Sequence, residues 1–176
     1  MSWKILKQEY IEKNKWINLR KDTCKVNNTI IDDYYVLEMQ DVSCVVAITK
    51  EKKLLLVKEY KHAVQKEILQ LPCGYVDAGE KPLDTEKREL AEETGYISDQ
   101  WTFCGVCAGS PGRLTHHYYF FLAENCEKKQ QQHLDDIETL KVLECSLNEV
   151  SELMKKSSID MTLATGLFLT KERREK

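Results

Sequence analysis

A run of glycine, acid and arginine at fixed spacing constrains this chain more than any other feature. It reads Gly74-Tyr-Val-Asp-Ala-Gly-Glu80, then seven residues, then Arg88-Glu89-Leu90-Ala91-Glu92-Glu93-Thr94-Gly95-Tyr96. A helix is predicted from Pro82 to Thr94. Proline suits the first helical turn, and glycine suits the left-handed position that ends a helix. At ~100° per residue, Glu86, Glu89, Glu92 and Glu93 share an arc about 120° wide, and Leu83, Leu90 and Thr94 fall on an adjoining arc. The sequence therefore joins a glycine-bearing turn to a helix with carboxylates on one side and core residues beside them.

Like charges three or four residues apart destabilise a helix by ~0.2–0.5 kcal/mol per pair. Such a face is a net cost unless something cationic sits there. Arg88 offsets part of it by pairing with Glu92. Magnesium would offset more, because it prefers carboxylate oxygen, keeps several waters and takes substrate phosphates as its remaining ligands. Glu89 and Glu93, one turn apart, are placed to share a cation. Glu92 lies slightly round the helix, in reach of a second cation or a metal-bound water. Four glutamates alone would also fit a solvated acidic face. The upstream glycines and the Arg-Glu spacing favour the cation site.

The rest of the composition narrows the classes. A length of 176 residues gives one domain with a real core, or one domain plus a short accessory segment. A net charge of −3 with scattered Lys and Arg gives no basic stripe, so no nucleic-acid partner is expected. No apolar run approaches the roughly 18 residues of a membrane span, so no membrane partner is expected either. The first residues carry charges throughout and lack the apolar region of a signal peptide. The seven scattered cysteines then read as reduced thiols in a cytoplasm. Cys104-Gly-Val-Cys107 is the single CxxC, and its flanks look like strand. It reads as buried structural thiols rather than as a zinc or thioredoxin-like site.

Residues 3–40 read as short strands and turns, with Asn27-Asn28 a hairpin turn. Strands are predicted at Val42–Ile48, Leu54–Tyr60, Ile68–Leu71, Trp101–Cys107, His117–Ala123 and Thr139–Leu143. Helices follow at 147–155 and about 161–171. The loop Gly109-Ser-Pro-Gly-Arg113 lies between two of the strands. Strands and helices alternate irregularly. This predicts an α/β (α+β) chain with helices flanking a central mixed sheet. Residues 1–40 form a short N-terminal β segment, and 41–176 form the main domain.

The pattern Gx5Ex7REUxEExGU, with U a bulky aliphatic, is the Nudix box, and this chain resembles that family. Gly74, Glu80, Arg88, Glu89, Leu90, Glu92, Glu93 and Gly95 match; Tyr96 departs, being aromatic. The segments VVAITKEKKLLLVKEYKH and LQLPCGYVDAGE, with the GSPGR loop and its Pro111, look like the branch that hydrolyses ADP-ribose and other nucleoside diphosphate sugars. The resemblance covers residues 16–170.

It implies a Nudix-type α/β/α sandwich and a divalent-metal-dependent pyrophosphatase of the cytoplasm. The metal implied is Mg2+, with Mn2+ as an option. Cleavage would give a nucleoside monophosphate and a sugar phosphate. By carry-over, Glu89 and Glu93 are the main metal ligands, Glu92 supports metal or catalytic water, and the backbone carbonyl of Cys73 adds a ligand. Arg88 orients the glutamates, and Glu80 ties the loop to the helix. Asp135 aligns with a late-loop acid acting as general base, with Glu138 the alternative. Lys61, Gly112 and Arg113 are implied substrate contacts. Trp16 and Tyr34 are implied to stack the base, often across a homodimer. Lys61 replaces the arginine common in relatives, and Gln70 replaces a glutamate. The alternatives are a Nudix hydrolase of another nucleotide, a triphosphate or a dinucleotide, and a non-catalytic module that senses nucleotide sugars.

Overall fold

The computed structural model describes residues 2–15, 17–134 and 139–174. The chain divides into two compact units, residues 1–41 with 107–117, and residues 42–106 with 118–176.

The first unit is built on three antiparallel strands, β1 (Trp3–Lys13), β2 (Asn18–Val26) and β3 (Thr29–Glu38). They are longer than the sequence suggested, because interleaved charges do not stop a strand that is exposed on one face. Val26 pairs with Thr29, so Asn27-Asn28 is a two-residue hairpin turn, with Asn27 in the left-handed region at φ 56°. β1 is exposed along its whole length. Asp22, buried on β2, is held by Arg20, whose Nε lies 2.9 Å from it; Arg20 also pairs with Glu38. Segment 107–117 joins this sheet edge. Leu37 N donates to the Arg113 carbonyl at 2.8 Å, and Thr115 N donates back to Leu37 at 3.3 Å.

The second unit carries a mixed sheet. Its spine runs β11 (Lys141–Cys145), β5 (Leu54–Lys61), β4 (Val42–Thr49), β10 (His117–Lys128) and β8 (Tyr96–Ile97). β6 (Lys66–Gln70) pairs with β5, β7 (Cys73–Tyr75) with β4, and β9 (Gln100–Ala108) with β10. β4 and β10 are parallel, and the other registered pairs are antiparallel. β10 continues beyond the expected Ala123 through a register break at Asn125, where φ is 53°. A bulge of this kind lets a strand absorb polar residues that look like its end.

Strand alternation places two helices on opposite faces of this sheet. Leu90 of α1 (Pro82–Thr94) packs in a cluster with Val45, Ala47, Phe121 and Ala123. Gly166 of α3 (Met161–Arg174) sits against Val46 and Phe120, each next in sequence to one of these residues, and against Leu71. A Cβ on Gly166 would lie 2.5 Å from Leu71 Cδ1. α2 (Leu147–Lys156) begins at Ser146, whose side chain and that of Glu149 form a reciprocal capping box. The result is the expected α/β/α sandwich with a central mixed sheet. Among the described residues no helix is long and apolar enough to cross a membrane.

Candidate active site

α1 has the predicted bounds. Pro82 opens it, and Gly95 closes it in the left-handed conformation at φ 77°, donating to the Ala91 carbonyl. A Cβ on Gly95 would meet the Gln130 carbonyl oxygen at 2.3 Å, so the turn requires glycine twice over. The last turn of α1 carries no basic residue. Segment 129–133 supplies the missing donors instead. Gln130 Nε2 reaches the Ala91 carbonyl at 3.2 Å, Gln132 Nε2 reaches Glu93 at 2.6 Å, and His133 N reaches Glu92 at 2.9 Å. Sequence reasoning missed this role for the Gln-Gln-Gln-His run. The signal was available, since a helix ending without cations leaves carbonyls to be satisfied elsewhere.

Of the four acids expected on one arc, two are deeply buried. Glu86 is fully buried and Glu93 is 6% exposed, whereas the Glu92 side chain is 39% exposed. The acidic face is therefore not a solvated one. Burial pushes Glu93 well above the ordinary carboxylate range, and the charges of Glu89 and Glu86 add to it. Burial does the same to Glu86, whose two carboxylate oxygens have no hydrogen-bond partner among the described residues. The nearby Ser43 hydroxyl donates to the Pro82 carbonyl at 2.8 Å.

Arg88 is the organising cation. Its Nη1 lies 2.7 Å from Glu89 and 3.1 Å from Glu92, and its Nη2 lies 3.3 Å from Glu80. Burial opposes the charge on Arg88, but these carboxylates outweigh it and raise the pKa above its ordinary value. Glu80 also accepts from the Thr85 hydroxyl at 2.7 Å, and Thr85 and Arg88 together lower its pKa. A residue before the helix is thereby fixed to two positions within it.

β7 brings the other half of the box to this helix. Cys73 N donates to Glu93 Oε2 at 3.2 Å. Val45 N donates to the Pro72 carbonyl, so Cys44 and Cys73 occupy a non-hydrogen-bonded position of the β4–β7 ladder. The Cys73 carbonyl therefore takes no part in that ladder. Gly74 touches α1 closely, and a Cβ there would lie 2.1 Å from the Glu89 carboxyl carbon.

The expected metal ligands Glu89, Glu92, Glu93 and Cys73 thus meet in one region, but not around one point. Among the described residues no three His, Cys, Asp or Glu side chains are gathered in metal-holding geometry. Glu89 and Glu92 turn to Arg88, and Glu93 turns to the Cys73 amide. The chemistry of the set still fits a hard divalent cation, with the carboxylates of Glu89, Glu92 and Glu93 and the Cys73 carbonyl offering oxygen donors only.

Lys61, at the end of β5, is paired with Glu59 at 2.5 Å, and Gln70 Nε2 lies 3.5 Å from the same carboxylate. Burial opposes the charge on Lys61, but Glu59 outweighs it and raises the pKa. In the first unit, Tyr34, Gly112 and Arg113 come together. The Tyr34 hydroxyl donates to the Gly112 carbonyl at 2.5 Å, and the Arg113 guanidinium sits 4.4 Å from the Tyr34 ring centroid. Trp3 meets Tyr34 edge-on at 5.5 Å. Trp16, Asp135 and Glu138 lie outside the described residues.

Tyr96, the departure from the box, is part of the core and only 7% exposed. Its hydroxyl donates to Glu144 on β11 at 2.6 Å. The aromatic ring supplies the apolar bulk that the position requires, and the polar tip reaches the exposed strand edge. Cys104 and Cys107 lie three residues apart on β9, so their side chains leave opposite faces. That placement excludes the helix-opening geometry of thioredoxin-like sites.

A glycine-shaped strand–helix contact, an arginine-bound carboxylate cluster and an α/β/α sandwich define a Nudix domain. The NUDIX domain model matches residues 39–164, and the chain belongs to the Nudix hydrolase family. The model described as nucleoside diphosphate sugar hydrolase N-terminal domain matches residues 3–37. The chain is 30% identical over 157 residues to the methanol dehydrogenase activator of Bacillus methanolicus, covering 89% of this chain and 85% of that protein. It is 28% identical, with the same coverage, to the ADP-ribose pyrophosphatase of Bacillus subtilis (strain 168). A crystal structure of an ADP compounds hydrolase superposes with a TM-score of 0.81 at 19% identity, covering 99% of this chain and 95% of that one. The fold is the same. Nudix enzymes generally use a divalent metal, and this chain is a hydrolase of that family.

Proposed function

We propose that this protein hydrolyses the diphosphate linkage of ADP-ribose or a related nucleoside diphosphate sugar, with Mg2+ or Mn2+, to a nucleoside monophosphate and a sugar phosphate. The observation that carries the reading is the pairing of two matches along one chain, a nucleoside diphosphate sugar hydrolase N-terminal domain followed by a NUDIX domain.

In this reading Glu89 and Glu93, with Glu92 and the Cys73 carbonyl, hold the cations. A divalent ion held there would neutralise the diphosphate and lower the pKa of the attacking water. Arg88 keeps Glu89 and Glu92 oriented until that charge arrives. The Gly74 backbone gives Glu89 its place. Asp135, or Glu138 instead, takes the proton of the water. Lys61 and Arg113 bind phosphate or terminal sugar, with Gly112 shaping the turn. Tyr34 and Trp16 stack the base, a contribution of ~1–3 kcal/mol.

The working unit is a homodimer formed through residues 1–40, the dimerisation and substrate-stacking element. Support comes from β1, a long strand that exposes Trp3, Ile5, Leu6, Tyr10 and Ile11. Light scattering at micromolar concentration reads the dimer. The seven free thiols support a cytoplasmic setting.

The test is a panel of ADP-ribose, other nucleotide sugars, triphosphates and dinucleotides, with Mg2+ or Mn2+, assayed for monophosphate release. Turnover of ADP-ribose or another nucleotide sugar is expected. Preference for triphosphates or dinucleotides would move the assignment to another Nudix activity. Metal-independent binding without turnover of any substrate would leave a nucleotide-sugar sensor.

A further inference from the structure

Two thiols face each other across the strand pair that carries the box. Cys44 on β4 is directly opposite Cys73 on β7. The Val45 N to Pro72 O bond makes this a non-hydrogen-bonded pair, the position at which opposed Cα atoms are closest, at about 4.5 Å. That spacing lies inside the ~4.4–6.8 Å range a disulfide accepts. Cys44 is fully buried and Cys73 is partly exposed. Both are free. Three other strand cysteines face no thiol across their ladders. Cys24 faces Ile5 and Ile31, Cys126 faces Thr49, and Cys145 faces Leu54.

The pair also touches the hydrolase centre. Cys73 N is bonded to Glu93, and Gly74, the next residue, sets the position of Glu89. A bond between the two sulfurs ties β7 to β4 and constrains the backbone that both glutamates lean on.

We propose that Cys44 and Cys73 form a peroxide-responsive dithiol whose closure to a disulfide slows the hydrolase. The step balances as follows. The Cys73 sulfur attacks one peroxide oxygen and gives up its proton, the O–O bond breaks, and the departing hydroxide takes that proton to become water. The Cys73 sulfenic acid is then attacked by the Cys44 sulfur, which gives up its proton; the S–O bond breaks and a second water leaves. Two thiols are oxidised by two electrons, and one peroxide is reduced to two waters. A thiol reductant reverses the bond.

The activity half of this proposal rests on the hydrolase reading above; the chemical half does not. The full-length protein is treated with hydrogen peroxide, alkylated, digested without reduction and mapped by mass spectrometry. Turnover on the best substrate of the panel is read in parallel, before and after dithiothreitol. A Cys44–Cys73 peptide is expected, with turnover lowered about ten- to hundredfold and restored by reductant. The variants Cys44→Ser and Cys44→Ala should keep full turnover when reduced and resist peroxide. Absence of that peptide, or oxidation confined to other cysteines, overturns the dithiol. The peptide without a change in turnover overturns the coupling to catalysis. Should reduced protein turn over nothing, the hydrolase reading fails, and the peptide map still decides the dithiol. Should both variants fail to fold, the wild-type map and the reductant reversal decide it alone.

Discussion

Gly74 and Glu89 share one volume. A Cβ on the glycine would stand 2.1 Å from the glutamate carboxyl carbon and 2.4 Å from its Cγ. The glycine is there for this contact, because β7 and α1 must approach closely enough for a backbone and a carboxylate to lie side by side. Gly74→Ala should leave the fold intact, since the atoms in the way belong to a flexible side chain. It should push Glu89 aside and lower kcat about 10²-fold, the scale of a misplaced catalytic group. Thermal unfolding and steady-state kinetics on the same preparation check both halves. Wild-type kcat would show that Glu89 position is immaterial.

Glu93→Gln separates charge from shape. The amide oxygen still accepts from Cys73 N, and the repulsion between Glu93 and Glu86 is removed. Turnover should fall on the order of 10²–10³-fold, the size of deleting one preorganised charged group. Stability should be unchanged or higher, because burial already disfavours the charged form of Glu93. Unchanged activity would remove Glu93 from the ligand set.

Gly95→Ala tests the end of the same helix. Any Cβ there meets the Gln130 carbonyl oxygen at 2.3 Å, and φ is 77°. The left-handed conformation alone costs a non-glycine residue about 1–2 kcal/mol. A loss of about 2 kcal/mol or more is expected, a fall of about 4–8 °C in Tm. Calorimetry reads it. The larger damage is displacement of segment 129–133, whose donors serve the α1 carbonyls.

Tyr96→Phe removes the bond to Glu144 and keeps the ring. It should cost about 1 kcal/mol at neutral pH. Burial, reinforced by Glu144, raises the Tyr96 hydroxyl from its ordinary 10 to about 12. The folded pKa is above the unfolded one, so this contribution is fully present below pH 10 and is lost as pH rises toward 12. Denaturant unfolding of both proteins from neutral pH to pH 12 should show their stabilities converging over that interval. A constant gap would mean that Tyr96 titrates alike in both states.

Punctuation decided what could be read from the sequence. α1 was legible to the residue because Pro82 and Gly95 mark its ends chemically, and its acids and leucines divide by angle. The acidic arc was read as one face, although its angles already separate Glu86, ~40° from Leu90, from Glu92, ~160° from it. The structure follows those angles: Glu86 is fully buried and the Glu92 side chain is 39% exposed. β7 and β8 are three and two residues long, too short for any periodicity, and exist because their neighbours β4 and β10 offer an edge. Lys61 carried a phosphate-binding expectation on charge alone, whereas its partner Glu59 is two residues away on the same strand face, visible once the strand is assigned.

Gly166 has a consequence for the far end of the chain. α3 presses against Leu71, two residues ahead of Cys73 and three ahead of Gly74. The terminal helix therefore acts as a foundation stone: it sets the height at which the first strand of the box is laid, from more than seventy positions downstream. A bulkier residue at 166 would lift that strand without altering a single motif position, so damage of this kind would be invisible to anyone comparing box sequences alone.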